Sequence, residues 1–138
     1  MKLFINLVFI LFISNNIFAE QTIEKNLDIT KEVISQQLGA FKINDANKAY
    51  FFASPIIKKR FESPENFMNM IRKNYEPVSN AKDFFFLKSK FYNESIYHQV
   101  QIISQSNKSY IATYSLIFTD EEWKISGCAL SLMDQQSI

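Results

Sequence analysis

One cysteine, one histidine, one tryptophan, two glycines and three prolines are all that this 138-residue chain has of those types. Each scarcity excludes something. A lone Cys128 cannot close an internal disulfide, so stability has to come from packing. His98 and Cys128 together are too few ligands for a structural zinc centre, and no metal or other cofactor is expected. With so little glycine there is no Gly-rich phosphate loop, and neither a nucleophile elbow nor an internal repeat occurs. An excess of one charge sign is also missing. Fifteen basic residues face fourteen acidic ones, and without residues 1–19, which hold one Lys and no acid, the balance is zero. A neutral domain exerts no long-range pull on a phosphate backbone, which argues against nucleic acid as a partner.

What is present is apolar and aromatic: 47% hydrophobic residues and 15% aromatic ones, enough for a globular core in one domain. The first nineteen residues stand apart from the rest. Met1-Lys2 gives a short positive start, Leu3–Ile13 is apolar but for Asn6, and small Ala19 precedes Glu20. That layout predicts a secretory signal peptide over 1–19 and a single mature domain over 20–138. The apolar run falls short of the ~20 residues a spanning helix needs, so no stable membrane span is expected after cleavage. The compartment implied is outside the cytoplasm, most simply the periplasm.

After the leader, the pattern is helical and then strand-like. Ile23, Leu27, Thr30, Ile34, Leu38 and Phe41 recur at steps of three and four, which predicts a first helix over Thr22–Phe41. Asn44 or Asp45 can cap a second helix whose inner face is Ala46, Ala49, Tyr50 and Ala53. Ser54-Pro55 and Ser63-Pro64 each pair an N-cap with a proline at the first helical position, so two more helices follow. The first ends near Phe61; the second turns Phe67, Met70, Ile71 and Tyr75 inward and stops before Pro77. From Asp83 the chain becomes rich in aromatic and β-branched residues, predicting strands at Asp83–Tyr92, Ser95–Gln105, Ser109–Thr119 and Trp123–Leu132. A two-residue Asp120-Glu121 turn sets Phe118 opposite Trp123. Tyr110, Ala112, Tyr114, Leu116, Ile125, Gly127 and Ala129 then share their face, which the helices cover. An odd-length connection before Ser109 brings Ile96, His98, Val100 and Ile102 to the same side. The other face, with Tyr97, Gln99, Gln101, Ile103, Ile111, Thr113, Ser115, Ile117, Lys124, Cys128 and Leu130, is half apolar, which suits a partner surface.

Helices first and an antiparallel sheet second is an α+β layout. Along it, Q-L-x-A-F (Gln37–Phe41), Asp45 and Ala49, A-S-P-I (Ala53–Ile56), F-x-x-M (Phe67–Met70), Y-x-P-V (Tyr75–Val78) and W-x-I-x-G-C-x-L (Trp123–Leu130) occur in order. Together they resemble an uncharacterised bacterial domain-of-unknown-function family in the nuclear transport factor 2-like superfamily. The resemblance covers most of the mature chain. It implies N-terminal helices packed in the concave face of a curved four-stranded antiparallel sheet that encloses a pocket. Relatives in that superfamily include ketosteroid isomerase-like and scytalone dehydratase-like enzymes as well as non-catalytic binding and dimerisation domains, so the fold does not choose a chemistry.

Candidate site residues are few, and each has a plain structural reading beside the functional one. His98 lies among apolar neighbours on the covered face, where it is either an acid–base group or a core histidine with satisfied ring nitrogens. Asp45 and Glu94 are the candidate carboxylates for isomerase-type chemistry, with Tyr50, Tyr75 or Tyr114 as donors. Asp45 reads equally as a helix cap and Glu94 as a turn residue. Gly127, in mid-strand, leaves room for a ligand or for close packing. Lys58-Lys59-Arg60 and Arg72-Lys73 make a small basic cluster that could bind an anion or a lipid head group, but the interleaved acids Glu62, Glu65 and Glu76 make solvated helix faces the simpler reading. The expectation is a non-catalytic module that takes a small apolar ligand in the cone, lined by His98, Tyr114, Tyr50, Asp45 and Gly127, or binds protein through the outer sheet face as a homodimer. The alternative is an acid–base isomerase or dehydratase using His98 or Asp45 with a Tyr.

Overall fold

The computed structural model describes residues 2–133, with side chains from Asn16 onward. The apolar run of the predicted leader falls outside the described side chains. Among the described residues no helix is long and apolar enough to cross a membrane. Helix α1 runs Lys2–Lys42, well upstream of the Thr22 expected from periodicity. The reason is visible in the sequence: no glycine or proline occurs before Gly39, so nothing interrupts helical hydrogen bonding. Its predicted stripe is buried at Thr30, Ile34, Leu38 and Phe41, whereas Ile23 is exposed.

Four short helices follow: α2 (Ala46–Phe51), α3 (Pro55–Phe61), α4 (Pro64–Asn74) and α5 (Glu76–Ser79). Asp45 caps α2, its carboxylate accepting from Lys48 N at 3.0 Å, and Ser63 caps α4 by accepting from Asn66 N at 3.1 Å. Ser54 precedes α3 in cap position but makes no such bond, and its hydroxyl is buried without a partner. Helix α4 ends before Pro77 as expected. The proline then sits in the first turn of α5, which periodicity did not signal because it is only four residues long.

The strands are β1 (Asp83–Tyr92), β2 (Ser95–Ile103), β3 (Ser109–Thr119) and β4 (Glu122–Leu132), in a curved antiparallel sheet ordered β1-β2-β3-β4. Asn93 and Glu94 link β1 to β2 with positive φ at both residues, and Asp120 and Glu121 link β3 to β4 in the same way. Phe118 pairs with Trp123 as the turn requires, and Ile96, His98, Val100 and Ile102 pair with Leu116, Tyr114, Ala112 and Tyr110. That row forms the floor on which α1 lies. Ile34, Ile96, Ile102 and Leu116 are fully buried there, each stabilising the fold by about 1.5–3 kcal/mol.

One expected alignment is corrected. The β3–β4 register slips between Ser115 and Leu116: Leu116 pairs with Ile125 but Ser115 with Gly127, leaving Ser126 as an extra residue. The bulge inverts the parity of the rest of β4. Cys128 and Leu130 therefore pair with Tyr114 and Ala112 of the covered face, while Gly127 and Ala129 pair with Ser115 and Thr113 of the outer one. A Cβ on Gly127 would meet Ser115 Oγ at 3.0 Å, on that outer side. The segment entering α3 also joins the free edge of β4. Ile125 N donates to Phe52 O and Ser54 N donates to Ile125 O, both at 2.8 Å, and Lys124 Nζ donates to Phe51 O at 2.9 Å. Covering an edge in this way removes a site for unwanted strand pairing.

Candidate functional site

The helices and β4 enclose a cavity of about 480 Å³. Its position follows from the elements just described. Phe41 comes from the end of α1, Phe61 from the end of α3, and Phe67 and Ile71 from the inner face of α4. Phe67 is the hub, with ring centroids 6.2 Å from Phe41, 5.9 Å from Phe61 and 5.8 Å from Tyr50. The opposite wall is Ile125, Ser126, Gly127 and Cys128, four consecutive residues of β4. A regular strand offers every second side chain to one face; the bulge at Ser126 is what gives the cavity a continuous stretch of β4.

The interior wall is uncharged. Tyr114 lies behind it, and burial, with the neighbouring Cys128 thiol, pushes its phenol well above the ordinary range. Burial likewise pushes the Cys128 thiol up to about 12, with Tyr114 drawing it weakly downward. Neither group ionises near neutral pH. The Tyr114 hydroxyl is sealed from solvent without a well-formed hydrogen bond, although the thiol acts on it electrostatically. Gln37 is also buried at the wall, its amide nitrogen donating to Ala49 O at 3.1 Å. At the rim, Asn74 and Arg60 are exposed. Arg60 is the one charged residue of the lining, and its guanidinium sits 5.8 Å from the centroid of the Phe61 ring.

Of the candidate site residues read from the sequence, Tyr114, Tyr75 and Gly127 border this cavity, whereas His98, Asp45, Glu94 and Tyr50 do not. His98 is fully buried beneath α1, with Phe86 edge-on at 5.8 Å. Its Nε2 is 2.7 Å from Thr30 Oγ1 and its Nδ1 is 2.6 Å from Ser89 Oγ. Thr30 also bonds back to Asn26 O at 2.9 Å. Since that bond uses the Thr30 proton, the consistent network has Nε2–H donating to Thr30 and the Ser89 hydroxyl donating to Nδ1. The ring is thus neutral and fully used. Burial, then the charge of Lys31, lowers its pKa from the ordinary 6.5 to about 4. Although Ser89 and His98 have the spacing of a nucleophile and its base, no carboxylate steadies an imidazolium here and Lys31 opposes one. Asp45 is occupied as the α2 cap. The Tyr50 hydroxyl donates to Lys58 O at 2.7 Å, and Glu94 is a turn residue with φ 62°. The acid–base constellation of the enzymatic alternative is not assembled at the cavity.

Arg60, Asn74, Phe61 and Ser126 were missed as site residues. For Arg60 the basic run looked like a solvated helix face, and for Ser126 nothing in a strand pattern announces an extra residue. The available signal was the pair of Ser-Pro starts nine residues apart in number, Ser54 and Ser63. They force α3 to be a short helix standing over the sheet edge, and its last turn becomes a rim.

A family model described as Domain of unknown function (DUF4864) matches residues 23–138. Solved structures similar to this fold include an NTF2-like protein of unknown function from Silicibacter pomeroyi DSS-3. It has TM-score 0.57 and 8% identity over 80% of this chain and 98% of that one. An NTF2-like protein from Campylobacter jejuni that carries a transpeptidase designation aligns with TM-score 0.53 and 11% identity, over 70% of this chain and 97% of its own. A DUF4783 family protein from Bacteroides ovatus ATCC 8483 gives TM-score 0.50 and 10% identity, over 72% and 94%. No curated protein matches the chain. Identities this low speak for the fold alone.

Proposed function

The chain belongs to the DUF4864 family, a family of unknown function with the nuclear transport factor 2-like fold, and we propose that it is an exported, non-catalytic module that binds a small apolar ligand in its cavity. The observation that carries this reading is the cavity itself. Its volume of about 480 Å³ falls within the ~300–1,000 Å³ of small-molecule sites, and its walls are mostly aliphatic and aromatic. The titratable groups suited to proton transfer, His98 and Asp45, are spent elsewhere on structure. A binding module needs no more than this arrangement, whereas an isomerase or dehydratase needs a base and a donor facing the same space. The leader-like N-terminus supports a periplasmic location.

The test uses the full chain, expressed with its own N-terminus in a bacterial host and purified as the cell leaves it. Native mass spectrometry reads the processed N-terminus and any retained small molecule. N-phenyl-1-naphthylamine, a neutral dye that brightens in apolar sites, reads the cavity, and Met70→Trp is the blocking variant. Dye binding that saturates at one site and is lost in the variant, with unchanged circular dichroism, is expected. Absence of dye binding to the folded wild type would remove the cavity reading.

The outer sheet face favours a second role as a homodimer interface. Phe85 and Tyr97 are 51% and 37% exposed there, beside half-buried Ile103, Ile111 and Ile117. Light scattering behind size exclusion is expected to give twice the monomer mass for the wild type and the monomer mass for Tyr97→Lys. A monomeric wild type at tens of micromolar would exclude this role.

A further inference from the structure

The cavity's distribution of charge goes further than its apolarity. Of the residues that line it, none is an Asp or Glu, and Arg60 alone is ionised. Arg60 has no ion-pair partner among the described residues, where the ion pairs are Lys31–Asp28 and Lys124–Glu122. It is exposed, at the last turn of α3, and its guanidinium lies beside the ring of Phe61, another lining residue. A guanidinium that lies beside a ring and has no carboxylate partner keeps its N–H donors free for a planar acceptor. Behind it the walls change to Phe41, Phe67, Ile71 and Ile125, and no buried lining group can balance a charge. A cationic ligand would meet Arg60 at entry and no counter-charge inside. A neutral ligand would leave the guanidinium unused. An anionic end remains in water at the rim, pairs with Arg60, and spares the interior the penalty of a buried charge.

Resting on the cavity reading above, we infer that the ligand is a small amphipathic carboxylate, its aryl or alkyl body in the cavity and its carboxylate at the rim on Arg60. The size follows from the volume. About 480 Å³ equals roughly sixteen water volumes at ~30 Å³ each, room for a ligand of about a dozen to fifteen heavy atoms. Arg60 is then a specificity residue that selects among ligands of the same shape by charge.

The test holds shape constant and changes charge. 4-Phenylbutyrate, 4-phenylbutanamide and 4-phenylbutylamine share one apolar body and are anionic, neutral and cationic at pH 7.5. Each is titrated against the protein carrying N-phenyl-1-naphthylamine, with wild type, Arg60→Gln and Arg60→Lys. The acid is expected to displace the dye at a concentration at least about tenfold below the amide, and the amine is expected to be weakest. In Arg60→Gln the acid should fall to within about twofold of the amide, and Arg60→Lys should restore part of the preference. Arg60 is exposed, so both variants should fold. Equal displacement by acid and amide in the wild type overturns the inference, as does an acid preference that survives Arg60→Gln. If the dye binds but no member of the series displaces it, the carboxylate inference falls and the cavity reading stands. If the dye itself does not bind, the cavity reading fails and takes the inference with it.

Discussion

Acidification should weaken this fold through one residue, and His98 allows the size to be worked out. In the native state its ring is neutral, wholly buried and bonded at both nitrogens, with its pKa lowered to about 4 by burial and by Lys31. In the unfolded chain the pKa returns to ~6.5. The unfolded state therefore binds the proton more tightly, and stability rises with pH across this interval. The contribution is complete above about pH 6.5. It is lost as the pH falls from there toward 4, and stops changing once both states are protonated. The full span is about 3 kcal/mol, and about 2 kcal/mol of it is gone by pH 5. That is a large share of the ~5–15 kcal/mol that holds a domain of this size together.

Carboxylates also titrate near pH 5, so the slope must be read against a variant that cannot carry the proton. His98→Leu keeps the volume and removes both ring nitrogens. Ser89 is half-buried and can turn to water, and Thr30 keeps its bond to Asn26 O, so neither hydroxyl is stranded. The loss of two hydrogen bonds should then destabilise the variant at pH 7.5 by about 1–3 kcal/mol. Urea unfolding at pH 7.5, 6.0 and 5.0 should show the wild type losing about 2 kcal/mol more than the variant across that range. Equal losses in the two proteins would refute the reasoning. They would mean that His98 is already protonated in the native state or reaches solvent there.

Two further substitutions test local readings. Gly39 lies in α1 with open space where a Cβ would stand, so Gly39→Ala should raise stability by about 0.5–1 kcal/mol in the same urea assay, and a loss would show that the helix needs that glycine. The Tyr114 hydroxyl is buried without a well-formed hydrogen bond, so Tyr114→Phe should raise the thermal midpoint, by about 1 kcal/mol in free energy. A clear drop would assign a real hydrogen bond to the Cys128 thiol.

Much of the fold was legible because two periodicities carry it. Thr30, Ile34, Leu38 and Phe41 mark a helix face, and the parity of β2 and β3 marks a sheet face that the register confirms pair by pair. Turn chemistry was legible as well: Asn93-Glu94 and Asp120-Glu121 both take the left-handed backbone that a two-residue hairpin demands. The start of α1 was not, since apolar periodicity reports where a helix is buried and not how far it extends. The α1 helix continues upstream through Ile23, Phe18 and Ile17, all of them exposed. His98 was placed on the correct face, but its partners were invisible. Thr30 is sixty-eight residues away in sequence, and Ser89 reaches Nδ1 only because β1 has its own irregularity between Phe86 and Ser89.

The site was the least legible part, and the cause is local. Strand parity is an argument about alternation, and one inserted residue reverses it for everything downstream. On alternation, Gly127 faces the helices and Cys128 faces away; Ser126 exchanges them. The same insertion lets four consecutive residues of β4 border one cavity. Just before it, Ile125 gives both its backbone groups to Phe52 and Ser54, which fixes the entry to α3 and, six and seven residues after Ser54, the positions of Arg60 and Phe61. Wall and rim are therefore set from neighbouring residues of a single strand. Neither the bulge nor the edge pairing has a signature in residue type, because backbone geometry and not side-chain chemistry creates both. A chain with no catalytic motif can thus still carry a defined site. Its specificity then has to be sought in what stands at the rim, and there the one charge is Arg60.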